Sequence, residues 1–231
     1  VSLLEVIALG PVDAERAEAG GADRIELVAD MAADGLSPSP RTVRAVLAAT
    51  GLPVRVMLRH TASFAATGPG TLRAGAAALL DAGAREFVLG FLTPDGAVDT
   101  EACALLAEEL AGCPWTFHRA VDHAADPYAA HAALAGLGCD TVLSAGHPGG
   151  VTEGLPVLRA VAARGGGPEL MAGGGLRDGH VTRLRAAGVR AFHIGGAVRP
   201  AGWDEPVDLA SVRRWATVVS GAETAAAHRI G

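Results

Sequence analysis

Eight short apolar runs alternate along this chain with Ala-rich stretches of helical character. The runs are Leu3–Ala8, Arg24–Val28, Val54–Arg59, Glu86–Phe91, Trp115–Arg119, Thr141–Ala145, Glu169–Ala172 and Arg190–Ile194. The intervening segments mostly close on glycine, at Gly20, Gly51, Gly83, Gly112, Gly138, Gly165 and Gly188, a residue that ends a helix in the left-handed region without steric cost. Strand followed by helix, eight times over, predicts an α/β fold, a single (β/α)8 TIM barrel spanning residues 1–231. Helix starts are marked by Asp13 in Pro11–Gly20, Ser39-Pro40 before Pro40–Thr50, Asp99 or Thr100 before Ala111, and Asp126-Pro127 before Tyr128–Leu137. Four helix-to-strand junctions, beginning at Gly21, Gly83, Gly138 and Gly188, share one order of residues: glycine, a small or apolar residue, one or two polar residues, then a strand.

Alternation within each run assigns its faces. The outward set of a barrel strand must be apolar because helices cover it. Leu4 and Val6, Ile25 and Leu27, Val54, Val56 and Leu58, and Trp115 and Phe117 fit that set. Their neighbours then point inward, so the lumen should hold Glu5, Glu26, Arg55, Arg59, His118 and His193, with Arg24 and Arg55 in a lower layer. Buried charges are costly unless paired, so these groups should form an ionic network. One reading is a charge-paired plug that fixes barrel register. The other is a site, because active-site groups of this fold sit at the carboxyl ends of the strands.

Composition narrows the classes. Half the residues are hydrophobic but only 4% are aromatic, so Ala, Val and Leu must build the core. A net charge of −6 without a basic face argues against a nucleic-acid partner. No run approaches the roughly 20 apolar residues of a membrane span, and the chain opens on a strand pattern without a basic leader. A cytoplasmic location without membrane contact is the expectation. Cys103, Cys113 and Cys139 show no C-x-x-C spacing, so neither a disulfide framework nor a zinc knuckle is expected.

Two glycine-rich segments follow the seventh and eighth runs, Met171-Ala-Gly-Gly-Gly175 and His193-Ile-Gly-Gly-Ala197. Loops at these places present backbone amides to phosphate in many TIM barrels. Gly173, Gly174, Gly195 and Gly196 are therefore candidate contacts for a small anion, the alternative being tight turns at crowded barrel ends. His60, His118, His123, His147 and His193 fall at or beyond strand ends, and imidazole suits Cu(II), Zn and Ni. His60, His118 and His147 are weak candidates for a metal site, since no two show close helical spacing.

Taken in chain order, the segments Leu3-Leu-Glu-Val6, Gly21-Ala-Asp-Arg-Ile-Glu-Leu27, Gly35-Leu-Ser-Pro-Ser39, Val56-Met-Leu-Arg59, Thr116-Phe-His-Arg-Ala-Val-Asp122, Glu153-Gly-Leu155 and Met171-Ala-Gly-Gly-Gly175 resemble the CutC copper-homeostasis family, whose members are TIM barrels. The resemblance implies a cytoplasmic protein linked to copper handling and often a homo-oligomer. It carries functional positions onto Glu5, Glu26, Arg59, His118, Arg119 and Asp122. Family members commonly place cysteines after Leu-Leu-Glu-Val and after the Glu-Leu of the second strand. Here Ile7, Ala8 and Val28 stand there, so copper as a bound ion lacks the soft thiolates that Cu(I) favours. The family's Arg-Pro-Arg-Gly-Gly after the third strand is here Arg59-His-Thr-Ala-Ser63.

Three functions follow as expectations. In the first, a charged barrel mouth binds a small anionic ligand, or acts as a lyase, isomerase or hydrolase on a phosphorylated or carboxylated metabolite. Glu5, Glu26, His118 and Asp122 would supply acid–base chemistry, with His118 shuttling a proton. Arg59, Arg119, His193 and the glycines would hold the anion. The second is metal binding or copper trafficking, and the third a noncatalytic assembly protein.

Overall fold

A computed structural model describes residues 2–221, so Val1 and residues 222–231 of the expected 1–231 domain lie outside the described residues. Eight parallel strands close in sequence order: β1 (Leu3–Ala8), β2 (Arg24–Leu27), β3 (Val54–Met57), β4 (Glu86–Leu89), β5 (Trp115–Phe117), β6 (Thr141–Ser144), β7 (Glu169–Gly173) and β8 (Ala191–Ile194). They alternate with α1 (Pro11–Gly20), α2 (Pro40–Ala49), α3 (Pro69–Asp81), α4 (Thr100–Glu109), α5 (Pro127–Leu134), α6 (Val151–Arg164), α7 (Asp178–Ala186) and α8 (Leu209–Ser220). No helix among the described residues is long and apolar enough to cross a membrane.

The helix starts follow side-chain chemistry. Ser39 accepts the Thr42 amide at 3.1 Å with Pro40 next in line, Asp99 accepts that of Ala102 at 2.9 Å, and Asp126 that of Tyr128 at 2.8 Å. Each satisfies a donor that the first helical turn leaves open. Asp13 is different. It lies inside the first turn of α1, where Gly10 precedes the helix. Its carboxylate instead accepts the amides of Leu9 and Val207 and pairs with Arg199 at 2.6 Å, tying α1 to the segment before α8.

Alternation assigned the faces correctly. Leu4, Val6, Ile25, Leu27, Val54, Val56, Leu58, Trp115 and Phe117 belong to the large core beneath the helices. Each such side chain, fully removed from water, contributes about 1.5–3 kcal/mol. Inside the barrel, Ile7, Val28, Met57 and Val88 make a small cluster toward the carboxyl end, and Leu143, Met171 and Ala191 make another. The ordered ladders are shorter than the apolar runs. Past Met57, the Arg59 amide turns from the sheet to the Ser37 hydroxyl at 2.9 Å. Val28, Arg59 and His118 therefore emerge just beyond their strands, where they reach the mouth.

One close packing explains the Glu153-Gly-Leu155 segment. A Cβ on Gly154 would stand 1.9 Å from the Ala145 carbonyl oxygen, so only glycine lets α6 sit this close to the end of β6.

Candidate functional site

The polar lumen is layered by strand register. At the amino end Arg55 binds Asp140 at 2.8 Å, Glu86 at 3.2 Å and the Thr116 hydroxyl. Burial works against this guanidinium's charge, but Asp140, Glu5 and Glu86 together outweigh it and raise the pKa above its ordinary value. One layer up, Glu5 pairs in register with Arg24 on β2 and His193 on β8. Its carboxylate accepts Arg24 Nε at 2.5 Å and meets His193 Nδ1 at 2.7 Å. Glu26, in register with Ile7, lies higher still. Its Oε2 is 3.8 Å from His193 Nε2, and its Oε1 is buried without a partner.

These environments drive the two carboxyls apart. Burial alone would raise Glu5, but Arg24 and then His193 outweigh it and bring its pKa down to about 2. Burial dominates at Glu26 and pushes it up to about 7. His193 is pulled down by burial but held above its ordinary value by Glu26 and Glu5. Desolvation and a charged partner act here as opposing causes, and the number of partners decides.

Above Glu26 opens a cavity of about 680 Å³. One wall is apolar: Ile7, Val28, Met31, Met57, Phe64 and Trp203. Glu26, Asp34, Arg59, His118, Arg119, His123, Arg177 and His193 supply its charged and imidazole groups, and Gly174, Gly175, Gly195 and Gly196 bring backbone to its edge. Arg119 lies flat on Gly174, where a Cβ would fall 2.9 Å from the guanidinium carbon. That glycine holds φ +93°, so it is required both by the contact and by the backbone.

Several expected roles change with position. Glu5 is fully buried, saturated by its two partners, and does not line the cavity. Gly173 lies under His193 rather than on the wall, a Cβ there meeting the imidazole at 3.0 Å. Asp122 also turns away from the cavity. Its carboxylate accepts the Ser144 hydroxyl at 2.7 Å, the amides of Ala145 and Gly146, and Arg119 Nε at 2.8 Å. It positions Arg119 and the loop after β6 instead of facing a ligand. Arg59 is more than a clamp: its terminal nitrogens donate to the carbonyls of Ala33, Asp34, Gly35 and Ala62, pinning the loops after β2 and β3. Only its Nε stays buried and unpartnered. Burial lowers its pKa, with Asp34 acting in the opposite sense.

His118 does line the cavity, but burial, with Arg59 adding to it, lowers its pKa to about 3. Its Nδ1 accepts the Ala120 amide at 3.2 Å, which assigns the ring proton to Nε2. Nε2 is buried and unpartnered. At neutral pH this ring is therefore neutral and offers Nε2–H as a donor.

His60 and His147 join no metal set. His147 is exposed and accepts the Gly149 amide, and half-buried His60 is within 3.4 Å of the Thr67 hydroxyl. Among the described residues, the one cluster of three or more ligating side chains is Glu5, Glu26 and His193. The thiols lie elsewhere. Cys103 and Cys139 are buried in the helix-facing core, their pKa values pushed up to about 12 by burial, and Cys113 follows α4. Sequence reasoning missed Arg177, Phe64, Met31 and Trp203. All four sit in loops outside the strand periodicity, although Arg177 stands two residues after the Gly173–Gly175 run.

The model of the CutC family matches residues 2–198. A human relative, "Copper homeostasis protein cutC homolog", is 35% identical over 196 residues, covering 83% of this chain and 72% of its own. A CutC family protein of Treponema denticola is 32% identical over 201 residues, 85% of this chain and 82% of its own. The crystal structure of a CutC protein from Streptococcus agalactiae superposes with a TM-score of 0.75 at 26% identity, over 84% of this chain and 98% of that one.

Proposed function

Because the chain belongs to the CutC copper-homeostasis family, we propose that its function resides in the cavity at the carboxyl end of the barrel, as a receptor for a small phosphorylated or carboxylated metabolite in the cytoplasm. The observation that carries this reading is a pair of orphaned donors. Arg59 Nε and His118 Nε2 are both buried, both without an acceptor, and both belong to side chains that line one cavity. Buried polar groups are almost always satisfied, and donors left open in a concave site define what should enter it. Phe64 touches both groups, 4.9 Å from the Arg59 guanidinium and 5.8 Å from the His118 ring, and so holds the two in one neighbourhood.

An anion suits these donors better than a neutral acceptor does. Among the described residues Arg59 makes no salt bridge, and Asp34 offsets its charge only from a distance, inside a partly enclosed space where Coulomb attraction is strong. Arg119 and Arg177 add charge at the mouth. The apolar wall, with half-buried Trp203 at its edge, fits a carbon body attached to the anion. Copper, which the relatives' names introduce, does not fit here as Cu(I): among the described residues no thiol lines the cavity, and the two buried thiols resist deprotonation.

Ligand titration followed by tryptophan emission tests the proposal, since Trp115 and Trp215 are each 2% exposed and Trp203 alone borders the cavity. Phenyl phosphate should shift the emission and raise Tm, with inorganic phosphate weaker because it leaves the apolar wall uncovered. Arg177→Ala should weaken binding several-fold, and Trp203→Phe should abolish the emission change but not the thermal shift. A Tm that no phosphate or carboxylate moves at millimolar concentration refutes the reading.

A further inference from the structure

The geometry points to a divalent-cation site at the floor of the cavity, with His193 Nε2 and Glu26 as its protein ligands and Glu5 behind them. Three features carry it. The first is the state of His193. Its Nδ1 is engaged by the Glu5 carboxylate at 2.7 Å, which leaves Nε2 as the free face of the ring, turned to Glu26. A carboxylate behind an imidazole is the arrangement that orients histidines bound to metal. The second is the spacing. His193 Nε2 and Glu26 Oε2 stand 3.8 Å apart, too far for a hydrogen bond. Two ligands of one tetrahedral ion with bonds near 2.1 Å would be ~3.4 Å apart, so an ion needs them to close by only a few tenths of an ångström.

The third is the unused oxygen. Glu26 Oε1 is buried with no partner, on a side chain only 4% exposed. Ligating atoms from Glu5, Glu26 and His193 all lie within 4.8 Å of one another. Glu5 is already neutralised by Arg24 at 2.5 Å, so the negative charge left for a cation is that of Glu26. The remaining coordination positions open into the cavity, which Glu26 and His193 both line. One imidazole and one carboxylate select a borderline divalent ion such as Zn²⁺ or Co²⁺ and disfavour Cu(I). The sequence could not announce this site, because its ligands sit 167 positions apart, 193 minus 26, and are joined only through the closure of β8 onto β1 and β1 onto β2. The inference stands apart from the anion reading, since neither Arg59 nor His118 takes part in it.

The test uses Co²⁺ as a spectroscopic probe on the full chain stripped with a chelator. Wild type should take up one equivalent with visible d–d absorption, and Zn²⁺ should displace it. Glu26→Gln should weaken uptake at least tenfold, Glu26→Asp should retain part of it, and His147→Ala should change nothing. Circular dichroism establishes that each variant is folded. Anomalous diffraction from Co²⁺-soaked wild-type crystals should place the ion between Glu26 and His193, which keeps the test decisive if Glu26→Gln does not fold. Absence of uptake at millimolar Co²⁺, unaltered uptake in folded Glu26→Gln, or an anomalous peak away from these two side chains overturns the proposal. Binding or failure of phenyl phosphate bears on the anion reading alone.

Discussion

His118 offers the sharpest test of the electrostatics, because its burial makes a signed statement about stability. Its imidazole titrates near 6.5 in an unfolded chain and at about 3 in the fold, lowered by burial and then by Arg59. Between those values the unfolded chain binds a proton that the folded protein refuses, so stability rises with pH across the window. The contribution is fully present above pH 6.5 and is lost as pH falls toward 3. At about 1.4 kcal/mol per pH unit, the whole window amounts to at most about 5 kcal/mol, and the step from pH 6.5 to 5 to about 2 kcal/mol. His118 is only 5% exposed, so solvent screening leaves this undiminished. His118→Asn isolates the effect, since Asn Oδ1 can replace Nδ1 as acceptor of the Ala120 amide while removing the titration. Urea unfolding of metal-free protein at pH 7.5, 6.5, 5.5 and 5 measures both chains, and subtraction cancels every other titrating group. Wild type should lose about 2 kcal/mol more than the variant between pH 6.5 and 5. A difference that stays flat, or an NMR titration placing the His118 midpoint above 6, would refute the reasoning.

Two further outcomes follow from the same geometry. Asp122→Ala strands the buried amides of Ala145 and Gly146 and the Ser144 hydroxyl, at about 1–3 kcal/mol per unsatisfied group, so denaturant unfolding should show a loss of about 3–5 kcal/mol. Asp122→Asn keeps one acceptor and should lose less; equal stability of both variants and wild type would contradict the assigned role. Native thiol titration with a disulfide reagent should find Cys113, half-buried, reacting quickly and Cys103 and Cys139 only on unfolding; three equally fast thiols would show that the core around α4 is open.

Much of this was legible in the chain by itself, for a local reason. Strand alternation and helix-ending glycines are short-range consequences of backbone geometry and of which face meets water. They determined eight repeats and the inward set Glu5, Glu26, Arg59, His118 and His193. Periodicity tells which way a side chain points but not what it meets. Whether Glu5 faces ligand or Arg24, whether Asp122 reaches the cavity or the loop after β6, and whether Arg59 is free or pinned by four carbonyls depend on contacts between strands distant in sequence. The tertiary structure alone decided these. Barrel closure sets the register of β1 against both β2 and β8, and that register places one imidazole between two carboxyls of opposite protonation tendency. Burial and partner charge are properties of that assembled neighbourhood, so the same residue type, glutamate, became a saturated ion pair at position 5 and a carboxyl with an unpartnered oxygen at position 26.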